Sequence, residues 1–359
     1  MTTARPPRGW LVGLRDVAQA AGVSTATVSR VVNTPHLVSA VLRDRVEAVT
    51  LKLGWVPHAA ARAMTTRRSG AIGAVFPTLS HGDFARAAEA LQGALSARGY
   101  TLLLACSHYD PAGEYAQVRQ FIERGVDAIA LVGNVHLAET TALLEARRVP
   151  FVNTFNYDTN TPRDHTVPAI GPNNHSAMHK LTRYLLNLGH RRFGMIAQST
   201  HHNDRAAARL QGVRDALAEE GLSVRPQHFV EGQWGIGEGR NLFARIIANS
   251  PRLTAIICGN AYLAVGAVLE ALDRNIKLPG ELSIVGYDDV EIMQELQVPI
   301  TTLRVRSDEV GRRAADWLIA ALANEPAPAE LECDVEIVVR ASSGPVPPGF
   351  LTFHSRTAV

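Results

Sequence analysis

The sequence predicts two unlike parts in one chain: a small all-α helix-turn-helix headpiece, and an α/β body of two doubly wound parallel-sheet lobes. Three observations predict it. Residues 14–33, LRDVAQAAGVSTATVSRVVN, read as two short amphipathic helices broken at Gly22-Val23-Ser24. The first 70 residues carry ten Lys/Arg against three Asp/Glu, a net +7 in a chain whose total is +2, which leaves −5 on the remainder. From Ala71 onward, short apolar runs alternate with amphipathic stretches of helical period, the pattern that gives parallel sheets covered on both faces. At 359 residues the chain exceeds one ordinary core.

In the head, residues 1–13 read as a loose arm. Asp16–Ala21 predicts the first helix, Gly22 a left-handed turn position where a Cβ is costly, and Ser24 the cap of a second helix over Thr25–Val32. Val17, Val23, Val28 and Val31 form a shared apolar seam, with Ala18 small enough for a close crossing. Thr34-Pro35 ends the second helix. Ser39 caps a third that runs to about Leu53, and its Val41, Val46, Val49 and Leu53 are expected to close the small core. The helix-turn-helix domain thus spans 14–57. The stretch 58–70 is short, alanine-rich and polar, and reads as a linker.

In the body (71–343), AIGAVFP (71–77), YTLLLAC (100–106), AIALV (128–132) and PFVNT (150–154) read as buried strands. The helices between them are Phe84–Arg98, Glu114–Arg124 and Glu139–Arg147. TVPAIG, RFGMIA, HFVEG, TAIICG and LSIVGYD form a second strand series, with helices near Ser176–Leu188, Arg205–Glu220, Arg240–Ala248 and Tyr262–Arg274. TTLRV, a helix Asp308–Leu322 and ECDVEIVVRA complete the body, and 344–359 is a Pro-rich tail. The expected first lobe takes 71–165 and 300–325, the second 166–298 and 330–343.

Several functional classes are disfavoured by what the chain lacks. No apolar run reaches the roughly 18–20 residues of a membrane span, and the N-terminus has no apolar core of a secretory signal, so a cytoplasmic protein is expected. Cys106, Cys258 and Cys333 are odd in number and unpaired in spacing, which fits reduced core cysteines. There is no GxxxxGK[S/T]. The glycine-rich GIGEG (235–239) lacks dinucleotide-binding spacing and reads as a turn. His201-His202 and His175/His179 show no clustered Cys or carboxylate partner in the sequence, so neither a metal nor a cofactor is expected.

A helix-turn-helix lays its second helix in the DNA major groove, with N-terminal side chains on base edges. A basic head on an acidic body suits phosphate binding by one small domain. The words DVAQAAGVS, TVSRVVN and VSAVLRDRVEAVTLKLGWVPHAAARAM, with SIVGYDD far downstream, resemble the lac repressor (LacI/GalR) family of bacterial transcription regulators. The resemblance implies a periplasmic-binding-protein-like body, a homodimer on a near-palindromic operator, and a small-molecule effector such as a sugar or sugar acid held between the lobes. It also implies that TTLRV crosses back to the first lobe and ECDVEIVVRA to the second. Nothing after Gly344 has a heptad, so a dimer rather than a tetramer is expected.

Candidate contacts follow from both readings. On DNA, Thr25 and Ala26 open the recognition helix, where the family discriminates operators. Thr25 offers a hydroxyl or methyl, and Ala26 only an apolar contact. Arg30 reaches a guanine edge or a phosphate, while Ser24, Thr27, Ser29 and Asn33 are short groups suited to the backbone. The resemblance makes 58–70 a hinge helix that forms on operator DNA, with Arg62 among its contacts and Met64 as its apolar minor-groove wedge where relatives carry Leu. In the cleft, beyond the carboxyl ends of strands, Asn260, Asp83, Phe84 and Phe155 are expected effector contacts, and the resemblance adds Arg209, Asp288 and Trp234 at positions where the family holds its effectors. The chain has Asn260-Ala261 where relatives commonly have an aspartate second, and Phe155 where they commonly have an aspartate. Losing acids while keeping Arg209 points to a less polar or anionic effector. The rival readings are a sugar-binding protein or an enzyme on the same two-lobed scaffold.

Overall fold

The computed structural model describes residues 12–56, 68–157, 167–250, 252–327 and 331–347. Most of the expected arm and tail, residue 57, and 58–67 of the expected hinge with Arg62 and Met64 lie outside the described residues. The chain divides into two compact units, Met1–Gly70 and Ala71–Val359.

In the first unit, α1 (Leu14–Ala21) and α2 (Thr25–Asn33) are joined through Gly22 at φ 64°, ψ 37°, the left-handed turn that the sequence requires. Asp16 begins the chain of caps: its carboxylate accepts the Gly13 N–H at 2.8 Å. Ser24 Oγ accepts the Thr27 N–H at 3.1 Å and meets the Thr27 hydroxyl at 2.9 Å, so the cap that starts α2 is in place. Helix α3 (Ala40–Leu53) starts at Ser39, whose hydroxyl makes no cap bond. Val17, Ala18, Ala21, Val28, Val31 and Val46 form the core, with Val23, Val49, Leu53 and Trp55 against it. Val41 does not join them and is 73% exposed. It sits in the first turn of α3, away from the α1 crossing that buries Val46.

The body builds the same winding twice. In the first lobe β1 (Ala71–Phe76), β2 (Thr101–Cys106), β3 (Ala128–Val132), β4 (Phe151–Thr154) and β5 (Ala169–Ile170) form a parallel sheet of order β2-β1-β3-β4-β5. In the second, β6 (Phe193–Gln198), β7 (Phe229–Gly232), β8 (Ala255–Cys258), β9 (Ser283–Tyr287) and β10 (Thr301–Val305) repeat that order, and β11 (Val335–Val338) adds an antiparallel edge on β10. The helices are α4 (Gly82–Ser96), α5 (Pro111–Glu123), α6 (Ala138–Arg147), α7 (Asn174–Asn187), α8 (Asp204–Ala218), α9 (Ile236–Asn249), α10 (Ala261–Asp273), α11 (Ile292–Glu295) and α12 (Ser307–Ala323).

Five expectations need correction. TVPAIG supplies β5, which pairs with β4 in the first lobe's sheet, so that lobe runs past 165. TTLRV is β10, bonded to β9 inside the second lobe, and only α12 returns to the first, where Val310, Ala314, Ala315 and Leu318 pack under its sheet. ECDVEIVVRA is shared: Cys333 joins the first lobe's core while β11 lies in the second. β2 is not buried; it is an edge strand with Leu104 42% exposed. GIGEG is not a turn but the opening of α9, with Gly235 as its cap. Of the three free cysteines, Cys258 and Cys333 are buried and Cys106 is half-buried.

Glycine at GIGEG has a packing reason. A Cβ on Gly239 would lie 2.5 Å from the Leu263 carbonyl oxygen, and one on Gly266 2.2 Å from that of Ile236, so α9 and α10 cross backbone to backbone. The same device joins α12 to α4, where a Cβ on Gly311 would meet the Ala87 oxygen at 2.2 Å. Overpacking a rigid crossing costs about 1–3 kcal/mol. Gly311→Val and Gly266→Val are therefore expected to lower the urea-unfolding free energy by at least about 2 kcal/mol. Gly93→Ala, mid-helix with nothing within 4 Å of the new methyl, is expected to raise it by about 0.5–1 kcal/mol. The reverse order contradicts this packing.

Candidate functional site

Each lobe turns the carboxyl ends of its strands toward the other, and the polar residues that follow those ends meet between them. The loop after β1 ends at His81, and the first turn of α4 carries Asp83 and Phe84; β2 is followed by Tyr109 and β4 by Phe155. From the second lobe, Asn203 and Arg205 follow β6, Arg209 lies one turn on, Asn260 follows β8 and Asp288 follows β9. Asn174 and Tyr287 complete the wall. Six of the seven expected contacts, Asp83, Phe84, Phe155, Arg209, Asn260 and Asp288, are thus brought together. Trp234 stands at the rim, 6.1 Å from the His81 ring and 5.4 Å from that of Tyr262.

The side chains are already committed to one another. Arg209 donates to the Gly259 carbonyl at 2.6 Å and to that of Arg205 at 3.2 Å, and its guanidinium lies 4.3 Å from the centre of the Tyr287 ring. It makes no ion pair with Asp288. Asn260 caps α10 by accepting the Leu263 N–H at 2.8 Å, so its carbonyl is spent on the helix and only its amide N–H groups face the cleft. Asp83 accepts from Arg86 at 2.5 Å and from the Ser307 hydroxyl at 2.7 Å, while its second oxygen has no partner. Phe155, at φ 63°, packs edge-on against Phe84 at 4.9 Å. His81, Tyr109, Asn174, Gln198, Asn203, Arg205 and Tyr287 were not singled out by sequence. Arg205 alone carried a legible signal, four residues before Arg209 and so on the same helical face.

Burial sets the protonation of this cluster. It pushes the Asp288 carboxyl well above the carboxylate range, with Asp83 adding to the effect and Arg209 and Arg86 opposing it. Burial likewise lowers His81 to about 4; Arg209, Arg86 and Arg205 act in the same direction and Asp83 against. His81 Nε2 lies 3.5 Å from Asp288, and its Nδ1 has no partner. His81, Asp83 and Asp288 each offer a donor atom within 4.8 Å of the others. Arg86 already holds Asp83, and a cation there meets the field of Arg209, which disfavours a metal at this trio.

The lobes are also tied across the cleft. Asp204, first in α8, accepts from the Asn134 N–H and the Asn156 amide, both at 2.7 Å. On the other side, the Tyr262 hydroxyl donates to Ser80 and accepts from Gly82 N–H, each at 3.3 Å, and Arg86 donates to the Asp289 carbonyl at 3.1 Å. Free space inside is about 20 Å³, room for a water and not for a metabolite. A ligand enters only as the lobes part.

On the head, Ser24, Thr25, Ala26 and Arg30 are exposed, and Thr27, Ser29 and Asn33 are half-buried. The Asn33 amide donates to Ser29 Oγ at 3.2 Å, so these two act as a pair.

Residues 13–58 match the family model described as bacterial regulatory proteins, lacI family, and residues 182–343 match that of a periplasmic binding protein-like domain. The head is thus similar to that of the lacI family of bacterial regulatory proteins, and the body to a periplasmic binding protein-like domain. It is 28% identical over 331 residues to the HTH-type transcriptional repressor PurR of Proteus mirabilis, covering 92% of this chain and 96% of that one. The repressor of the same name from Pectobacterium atrosepticum is 29% identical over 307 residues, 85% of this chain and 89% of its own. A LacI-family regulator from Silicibacter pomeroyi superposes with a TM-score of 0.81 at 25% identity, over 92% of this chain and 99% of that one.

The His81 shift has a measurable consequence. A histidine whose folded pKa lies below its unfolded value of about 6.5 contributes stability that is complete above pH 6.5 and is lost as pH falls toward 4. Asp288, shifted upward, has the opposite slope over this range. His81→Gln is therefore expected to lose about 2–3 kcal/mol less than the parent between pH 7 and pH 4.5 in denaturant unfolding. Equal losses in both proteins contradict the assignment.

Proposed function

We propose that this chain is an effector-responsive transcriptional repressor that binds a near-palindromic operator as a homodimer in the cytoplasm, without enzymatic activity. The observation that carries the reading is the pairing, in one chain, of a basic helix-turn-helix whose recognition side chains are exposed with a body whose lobes close over convergent polar residues. Thr25, Ala26 and Arg30 read base edges, and Ser24, Thr27, Ser29 and Asn33 hold the backbone. Arg62 and Met64, in the hinge, add a phosphate contact and a minor-groove wedge. The relatives' title of repressor supports the direction of control.

In the cleft, Arg209 and Arg205 supply positive charge, Asp288 and Asp83 take hydroxyls, and Phe84, Phe155 and Trp234 offer aromatic faces. This set suits a small hydroxylated or aromatic acid better than a neutral hexose. The ligand acts on DNA only through its different affinity for two arrangements of the protein, so DNA and ligand must each change the other's affinity by the same factor. Sugar binding without DNA binding, the rival for this body, leaves the basic head unexplained.

Selection from a random duplex pool, followed by anisotropy titration, tests this directly. The selected site is expected to be a near-palindrome, and Arg30→Ala is expected to weaken it by about tenfold or more. An unchanged affinity in Arg30→Ala, or no selected sequence, overturns the DNA reading. Arg209→Ala is expected to abolish ligand release while leaving DNA affinity within about twofold.

A further inference from the structure

A second concavity lies at the other end of the second lobe's sheet. Where the cleft gathers the carboxyl ends of β6 and β8, this hollow of about 440 Å³ gathers residues ahead of their amino ends. Arg191 and Arg192 precede β6, Arg225 and His228 precede β7, and Arg252 precedes β8. Among the described residues, no Asp or Glu lines it. Glu220, outside the lining, lies 4.0 Å from Arg191 and 2.7 Å from Arg183. Arg191 is further anchored to the Leu186 and His190 carbonyls. Arg225 and Arg252 are exposed.

Ser250 is the second, independent observation. It lines the same hollow at 5% exposure, and its Oγ has no hydrogen-bond partner. A buried hydroxyl without a partner is costly unless a ligand supplies one. Concentrated guanidinium groups over a buried donor match the oxygen-rich surface of a phosphate, which accepts several charge-assisted bonds at once. The hollow has the size of a small-molecule site.

We propose that this hollow is a second ligand site that takes a phosphorylated small molecule. It stands about 20 Å from the cleft, the length of a six-residue strand, and does not depend on what the cleft binds. Arg225 and Arg252 hold the phosphate oxygens and Ser250 donates from below.

The test is a titration of the full chain with pyrophosphate, followed by thermal shift at ionic strength held constant with KCl. The parent is expected to gain stability with a saturable midpoint. Arg225→Ala/Arg252→Ala is expected to raise that midpoint about tenfold or more, and Ser250→Ala several-fold, while Arg209→Ala leaves it unchanged. Unliganded melting temperatures of the variants check folding. A midpoint unchanged in both hollow variants, or lost only in Arg209→Ala, overturns the proposal, the second result placing the anion in the cleft. Displacement of pyrophosphate by a short non-operator duplex would also overturn it, in favour of a nucleic-acid surface.

Discussion

Two carboxyl groups from different lobes, Asp83 and Asp288, are shut away from water near one another, and most of the cleft answers that constraint. Buried charge is tolerated only when paired, bonded or removed by a proton. Here Arg86 and the Ser307 hydroxyl meet Asp83, while Asp288 rises in pKa beside a histidine that has lost its own tendency to protonate. Arg209 is held apart, on a carbonyl and a tyrosine face, so its charge steadies the cluster without neutralising it. Parting the lobes returns these groups to water and relieves the arrangement, and an entering ligand has to replace it. The site is therefore chemically poised while closed.

The scaffold makes that closure a property of whole lobes. The two sheets repeat one winding order, and chain crossovers at 171–173, 305–307 and 333–335 connect them. Helices on each lobe cross at glycines, carbonyl against α-carbon, and such contacts leave little room for gradual deformation. Relative movement is thus directed to the crossovers and to the polar ties at the rims. Asp204 matters here because one carboxylate fastens two separate loops of the opposite lobe.

Much of this was legible in the sequence, for identifiable reasons. Gly22 and Ser24 fixed the helix-turn-helix because turn and cap chemistry are local. Strand-end positions bring Asn260 and Asp288 to the cleft because doubly wound sheets put their carboxyl ends in one place, while Arg209, inside α8, is legible only through the resemblance. What failed was non-local. TTLRV and TVPAIG are equally good strands for either sheet, and their partners are set by packing that periodicity does not encode. GIGEG looked like a turn because its glycines serve a helix crossing with α10, over 20 residues away. Asn260 reaches the cleft, but its carbonyl caps its own helix, a local bond that strand-end reasoning passes over. His81 was missed because no local pattern marks a loop histidine that burial will strip of its proton. His175 and His179, which show no carboxylate partner in the sequence, meet Asp215 and Glu219 on the neighbouring helix at 2.7 and 2.8 Å, each ring with its own acid.

As a regulator, the chain unites a sequence-reading head with a body that has a closed arrangement and must have an open one. The most direct measurement is amide hydrogen exchange at Asn134, whose N–H is bonded only to Asp204 of the opposite lobe. The account predicts slow exchange in the full-length parent, limited by rare parting of the lobes, and marked acceleration in Asp204→Ala with β3 amides unchanged. Fast exchange at Asn134 in the parent, or no effect of Asp204→Ala, would contradict a cleft held shut by these contacts.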